Sequence, residues 1–247
     1  MSTPPSTVTD LLDRLVATGG RPALTWYGDG GERIELSGAV LGNWVAKTVN
    51  LLVEEFDAGP GTDVVVDLPV GWRQAVWALA AARCGATVVL RDPETDGAET
   101  DGADVVVTSR PADWDGSTAE LVAVALPALA RRFDGELPPE AIDAAAAVMT
   151  YGDAIGFDPA AGRPAPLAAL PGGRAPAGGA ASGAGDESAG RTLVRGAGSV
   201  HTVLGAAVDV WARGGSVVLT SAATARELTA DGARLERLVA SEQITRA

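Results

Sequence analysis

The chain has 247 residues, a formal net charge of −13, and 47% hydrophobic against 21% charged residues, the composition of a globular protein with one large domain or two small ones. The negative charge argues against a protein whose main work is to hold nucleic acid or anionic lipid. A single cysteine, Cys84, excludes an internal disulfide framework, and a single histidine, His201, excludes a zinc site assembled from several His and Cys side chains.

The first ten residues carry neither a basic stretch nor an apolar one, so no signal peptide is expected, and no apolar run is long enough for a transmembrane helix. A cytoplasmic protein is the expectation. Thr7 to Thr18 reads as an amphipathic helix with Val8, Leu11, Leu12 and Leu15 on one stripe. Ala23–Tyr27 and Glu32–Leu36 flank Gly28-Asp29-Gly30-Gly31 as a hairpin. Ser37 caps a helix running to about Glu55, with Asn43 and Lys47 on its solvated side. Asp63–Leu68 is a buried strand, Gly71–Arg83 a helix and Thr87–Leu90 another strand. Asp104–Thr108 and Leu121–Leu126 are further runs of strand length, and Pro138-Pro139-Glu140 is expected to open a helix. From Pro159 to Gly190 the pattern gives way to Pro, Ala and Gly, the composition of a flexible insertion. Thr192–Arg195, Ser199–Arg213 and Ser216–Leu219 follow as strand, helix and strand, with a charged helix after Ala230.

Two segments repeat one another. Asp63 to Leu90 aligns without gaps on Thr192 to Leu219, with Gly85 on Gly214 and Val88-Val89-Leu90 on Val217-Val218-Leu219. Each copy is strand, helix, glycine stop and buried strand. Apolar runs without alternation belong to parallel strands covered on both faces. The expected architecture is therefore a single α/β domain over residues 1–247, a doubly wound, mostly parallel sheet with helices on both faces.

The chemistry that can be read from single residues is sparse. Gly196-Ala197-Gly198-Ser199-Val200-His201 sits between a strand and a helix, where a dinucleotide fingerprint would lie. It has the first two glycines but His201 in place of the third, and a helix capped by Ser199 explains it equally well. Arg195, Gly198, Ser199 and His201 are the candidate ligand residues of this turn. Ser199 and His201 stand two apart, do not face one another on a helix, and no G-x-S-x-G elbow occurs, so no catalytic residue is assigned. Cys84 reads as a buried structural thiol, and the tryptophans as core. Asp92 and Glu94 read as a solvated loop; no metal site and no cofactor are expected.

The order of segments resembles the N-terminal part of the adenylate-forming superfamily of acyl-CoA synthetases, luciferases and peptide-synthetase adenylation domains. GPGTDVVVDLPVGWRQAVWALAAARCGATVVLRDP is similar to that superfamily's "GPGDRV", "LPNSPEW" and "GAVVVPLNP" succession. RGAGSVHTVLGAAVDVWARGGSVVL is similar to its "LPLFH … AGATVVL" segment, with His201 at a comparable place. More narrowly, DVVVTSRP and LVAVALPALARRFDGELPPEAIDAAAAVMTYGD resemble the middle of an uncharacterised short actinobacterial family related to AMP-binding enzymes. The resemblance implies the fold of the superfamily's first subdomain. The superfamily's "TSGTTGxPKG" phosphate loop would fall between Val148 and Thr192, which holds no such sequence, and no lysine follows Lys47 to serve adenylation. The expectation is a degenerate, non-adenylating protein, a pseudoenzyme that binds a small acyl or nucleotide-like ligand or a partner protein and forms a homodimer. The alternative is a nucleotide-dependent ligase or transferase completed by a partner subunit.

Overall fold

The computed structural model describes residues 4–93, 102–173 and 190–247. In chain order the elements are α1 (Val8–Ala17), β1 (Pro22–Tyr27), β2 (Arg33–Ser37), α2 (Gly38–Phe56), β3 (Asp63–Asp67), α3 (Trp72–Arg83), β4 (Thr87–Arg91), β5 (Val105–Thr108), β6 (Glu120–Ala123), β7 (Ile142–Asp143), α4 (Ala144–Ala147), β8 (Arg191–Val194), α5 (Val200–Ala212), β9 (Ser216–Thr220), α6 (Ala222–Ala230) and α7 (Gly232–Ser241). Among the described residues no helix is long and apolar enough to cross a membrane.

Two compact units emerge, each with its own sheet. The first comprises residues 1–42, 70–72 and 166–247, and the second residues 43–69 and 73–165. The first carries a four-stranded sheet in the order β2-β1-β9-β8, the second a five-stranded sheet in the order β4-β3-β5-β6-β7. Among the described residues the strand pairings within the two sheets are parallel except the β1–β2 hairpin, which the glycine-rich turn at Asp29–Gly31 closes. The fold is thus mixed α/β, with parallel sheets flanked by helices.

The repeat read from the sequence is a pair of βαβ units, β3-α3-β4 in one sheet and β8-α5-β9 in the other. In both, the helix ends on a glycine in the left-handed region, Gly85 at φ 89° and Gly214 at φ 72°, where a side chain would be strained.

In the first unit Thr7 and Asp10 form a reciprocal capping box on α1. The Trp211 indole of α5 donates to the Ala23 carbonyl of β1 at 2.9 Å. On one face of the sheet α6 and α7 lay Leu228 and Leu238 over Leu193 and Val218, and strand alternation turns the buried Val217 and Leu219 to the other face. The chain end is locked to this sheet by Glu242, whose side chain is 7% exposed. It accepts hydrogen bonds from Tyr27, Arg33 and Arg191. Burial pushes this carboxyl up, but the bonds from Arg33, Tyr27 and Arg191 outweigh it and hold the group at about 2.

In the second unit Val64, Val66, Val105, Val107 and Val122 are fully buried, while Val65, Val106, Trp114 and Leu121 form the core of the opposite face. Cys84 is buried as expected, and burial pushes its thiol up to about 11.

Three expectations need correcting. Pro138-Pro139-Glu140 does not open a helix: Ile142 and Asp143 pair with β6 as β7, and the helical turn starts at Ala144, where the Asp143 carboxylate caps the amides of Ala145 and Ala146. The Pro159–Gly190 stretch is packed over its first half, because Ala160, Leu167 and Leu170 are buried and Leu167 donates its amide to the Ser6 carbonyl; residues 174–189 lie outside the described residues. Lys47 is not a solvated side chain. It forms an ion pair with Asp153 at 2.9 Å and donates to the Tyr151 carbonyl.

Candidate functional site

The turn singled out in the sequence, Arg195 to His201, lies at the carboxyl end of β8, where parallel sheets commonly bind ligands. Its glycines serve packing. A Cβ on Gly196 would meet the Thr220 carbonyl oxygen at 2.1 Å, and the Gly196 amide donates to Thr220 Oγ1 at 3.2 Å. Gly198 has an ordinary φ, and a Cβ there would find only Val203 and Thr202 at 3.5 and 3.9 Å. Ser199 caps α5 by accepting from the Thr202 amide. Arg195, Gly198, Ser199 and His201 are all exposed. The start of α5 is instead crossed by the Gly172 turn: a Cβ on Gly172, at φ 75°, would meet the His201 carbonyl at 2.0 Å. Four candidate residues therefore share one turn, but among the described residues no buried polar side chain joins them.

Part of the interval that would hold a phosphate loop, residues 151–156, is held by side chains of α2. Asn50, 4% exposed, donates to the carbonyls of Gly152 and Ala154 at 3.2 and 2.8 Å and accepts from the Gly156 amide at 3.0 Å. Glu55 accepts from the Tyr151 hydroxyl; with Lys47, three α2 side chains clamp residues 151–156. A phosphate cradle needs backbone N–H groups converging on an anion. Here the Tyr151, Gly152 and Ala154 carbonyls are occupied by the clamp.

A denser polar arrangement stands in the second unit. The chain leaves β3 for β4 on one side and returns as β5 on the other, so the strand order reverses between β3 and β5. Such a switch point opens a crevice at the carboxyl ends of the strands. Asp67 ends β3 and is 1% exposed. Its Oδ2 accepts from Thr108 Oγ1, at the end of β5, at 2.8 Å and from Trp114 Nε1 at 2.9 Å. Arg110 approaches Oδ1 at 3.5 Å, pairs with Asp113 at 2.9 Å, and donates its amide to Thr108 Oγ1. Its Nε is buried with no hydrogen-bond partner among the described residues. Arg91, which ends β4 directly opposite Asp67, lies 5.9 Å from the Trp114 ring centre. Beyond β6, the buried Arg73 donates to the carbonyls of Leu126, Pro127 and Ala128.

The cluster combines a buried carboxylate, with one oxygen weakly engaged, and a half-exposed guanidinium with an unmet donor. It can receive an anionic group at Arg110 and a hydroxyl or amine donor at Asp67. Sequence reasoning missed all of it. The available signal was an aspartate closing an apolar run in DVVVD, matched by the Thr-Ser-Arg that closes DVVVTSR. Of the Asp92–Glu94 pair only Asp92 is described. Among the described residues no group of three or more His, Cys, Asp or Glu is placed to hold a metal ion.

No protein-family profile matches the sequence. A "TIGR03089 family protein" of Mycobacterium tuberculosis is 36% identical over 162 residues, an alignment covering 63% of this chain and 64% of that protein. The structure is similar to an acetoacetyl-CoA synthetase from Streptomyces lividans, with a TM-score of 0.62 and 14% identity over 88% of this chain and 38% of that one. It is also similar to an acyl-CoA synthetase from Brucella canis, with a TM-score of 0.51 and 22% identity over 62% of this chain and 28% of that one. The chain thus matches less than two thirds of its curated relative and well under half of each synthetase. Its α/β fold is similar to the N-terminal domain of acyl-CoA synthetases, and its sequence relative is an uncharacterised actinobacterial protein.

Proposed function

We propose that the chain is a non-adenylating binding protein whose ligand, a small acyl or nucleotide-like molecule with an anionic group, docks at the carboxyl edge of the five-stranded sheet. The observation that carries this reading is the Asp67–Thr108–Trp114–Arg110 cluster at the β3/β5 switch point. A buried carboxylate is retained at a cost in desolvation, and a half-filled arginine beside it gives a ligand something to satisfy. The similarity of the fold to that of two acyl-CoA synthetases makes acyl-CoA the first ligand to try.

Activating a carboxylate with ATP demands groups that stabilise charge on the transferring nucleotide. Within residues 151–156 the Gly156 amide is already engaged by Asn50, and the sequence has no lysine beyond Lys47 to meet a transferring phosphate; both support binding without adenylation. Calorimetric titration at low salt with ATP plus Mg²⁺, AMP and acyl-CoA tests the first half of the proposal, and ATP–pyrophosphate exchange tests the second. Saturable heat that Arg110→Ala weakens about tenfold or more, with no exchange, is the expected result. Absence of heat from every ligand, or binding indifferent to both Arg110→Ala and Asp67→Asn, would overturn the site. Carboxylate-dependent exchange would overturn the non-adenylating assignment.

A further inference from the structure

The two sheets present four edge strands, and three carry devices that keep an edge from pairing with another chain. β2 carries Arg33 and Glu35 and pairs with β1 through an irregular register. β7 is two residues long. β8 is covered by the chain end, since Leu193 donates to the Arg246 carbonyl and Thr245 to that of Arg191. β4 is five residues long, among the described residues no segment covers its outer side, and its one charge, Arg91, stands at its end. Thr-Val-Val-Leu-Arg contains no proline, lysine or acid, and pairs with β3 in unbroken register from Thr87 to Arg91.

We infer that β4 is a self-association edge, at which two copies of this chain pair antiparallel about a two-fold axis through Val89. The Thr87 amide donates to the Thr62 carbonyl at 2.9 Å on the β3 side. Alternation therefore turns the backbone N–H and C=O groups of Val88 and Leu90 away from β3, towards the open edge. In a pair centred on Val89, Val88 of one copy exchanges both bonds with Leu90 of the other, and the two-fold axis repeats the exchange. Val89, 39% exposed although it is apolar, then packs against its own symmetry mate, the closer kind of antiparallel pair. The charges also fit: the strand's one charged residue, Arg91, lies opposite Thr87 of the second copy, so no like charges face each other. A pairing in which one residue meets itself is available to a second copy of the same chain and gives a closed dimer.

Light scattering from about 1 to about 100 μM should show the mass rising from 24.9 kDa towards twice that value. Val89→Lys, on an exposed side chain, should hold the protein at the monomer mass with its circular dichroism unchanged. Paired Val89 residues bring their Cα atoms to about 4.5 Å, within disulfide reach. Val89→Cys should therefore cross-link under mild oxidation, and Thr87→Cys, which faces position 91, should not. A monomeric mass at the highest concentration overturns the inference. So does a dimer that survives Val89→Lys and gives no Val89→Cys cross-link. These readouts need no ligand and stand apart from the binding site at Asp67.

Discussion

Replacing Glu242 by Gln should destabilise the first unit in a strongly pH-dependent way. The carboxylate is nearly buried and accepts from Tyr27, Arg33 and Arg191, which hold it at about 2 against an ordinary 4.5. Each pH unit of such displacement corresponds to about 1.4 kcal/mol. The charge therefore contributes about 3 kcal/mol at neutral pH, which solvent screening through the half-exposed Arg33 reduces to about 2 kcal/mol. The folded value lies below the unfolded one. The contribution is thus complete above about pH 4.5 and disappears as the pH falls through about 2. Glutamine keeps the shape and lacks the charge at every pH. Urea unfolding followed by amide exchange at Thr25 and Leu193, which lie on the locked strands, should show a gap of about 2 kcal/mol between wild type and Glu242→Gln at pH 7. By pH 3 that gap should shrink to under half. A gap below about 0.5 kcal/mol at pH 7, or one that does not narrow with acid, would refute the assignment of Glu242 as the electrostatic lock.

Asp67→Ala should cost about 2–4 kcal/mol, since it leaves the buried Trp114 indole and Thr108 hydroxyl donors without their acceptor; chemical denaturation of a variant within 1 kcal/mol of wild type would contradict that. Gly172→Ala should lower stability by more than about 1 kcal/mol because its added Cβ meets the His201 carbonyl at a positive φ. Gly198→Ala should stay within about 0.5 kcal/mol and leave any ligand affinity unchanged, and a loss of affinity there would restore the β8–α5 turn as a binding site. Asn50→Ala removes three hydrogen bonds to residues 152–156, so exchange at the Gly156 amide should rise at least tenfold while the β5 amides stay protected. The Cys84 thiol, raised to about 11 by burial, should resist a disulfide reagent at pH 8 until the protein is unfolded; labelling of the native protein within minutes would show otherwise.

Elements that bury continuous apolar runs were legible in the sequence. DVVVD, TVVLR, VVVT and SVVLT are strands, Ser37 and Ser199 cap helices, and Gly85 and Gly214 stop them. What was missed depends on partners distant in sequence. Ile142 and Asp143 look like the approach to a helix until β6 offers them a ladder. α6 buries only Thr224, Ala225 and Leu228, too thin a stripe to stand out by periodicity. Lys47 looks like the wet side of a helix because the residues that it and Asn50 hold come about a hundred positions later.

The internal repeat explains why the polar cluster was harder to see than the turn that resembles a ligand loop. The ungapped alignment sets Asp67 on Gly196, so the two copies differ at the same place, the carboxyl end of the first strand. In the second copy glycine lets the backbone close on Thr220, and the edge is filled by main chain. In the first copy a carboxylate needs donors, and Thr108, Trp114 and Arg110 supply them from beyond the next strand. A glycine-rich turn is conspicuous because glycine is a local signal. A buried aspartate is an unsolved problem in the local sequence, and its solution lies forty or so residues away. A single acid closing a buried strand is therefore the better guide to a polar site in this chain, because burial forces the rest of the fold to answer it.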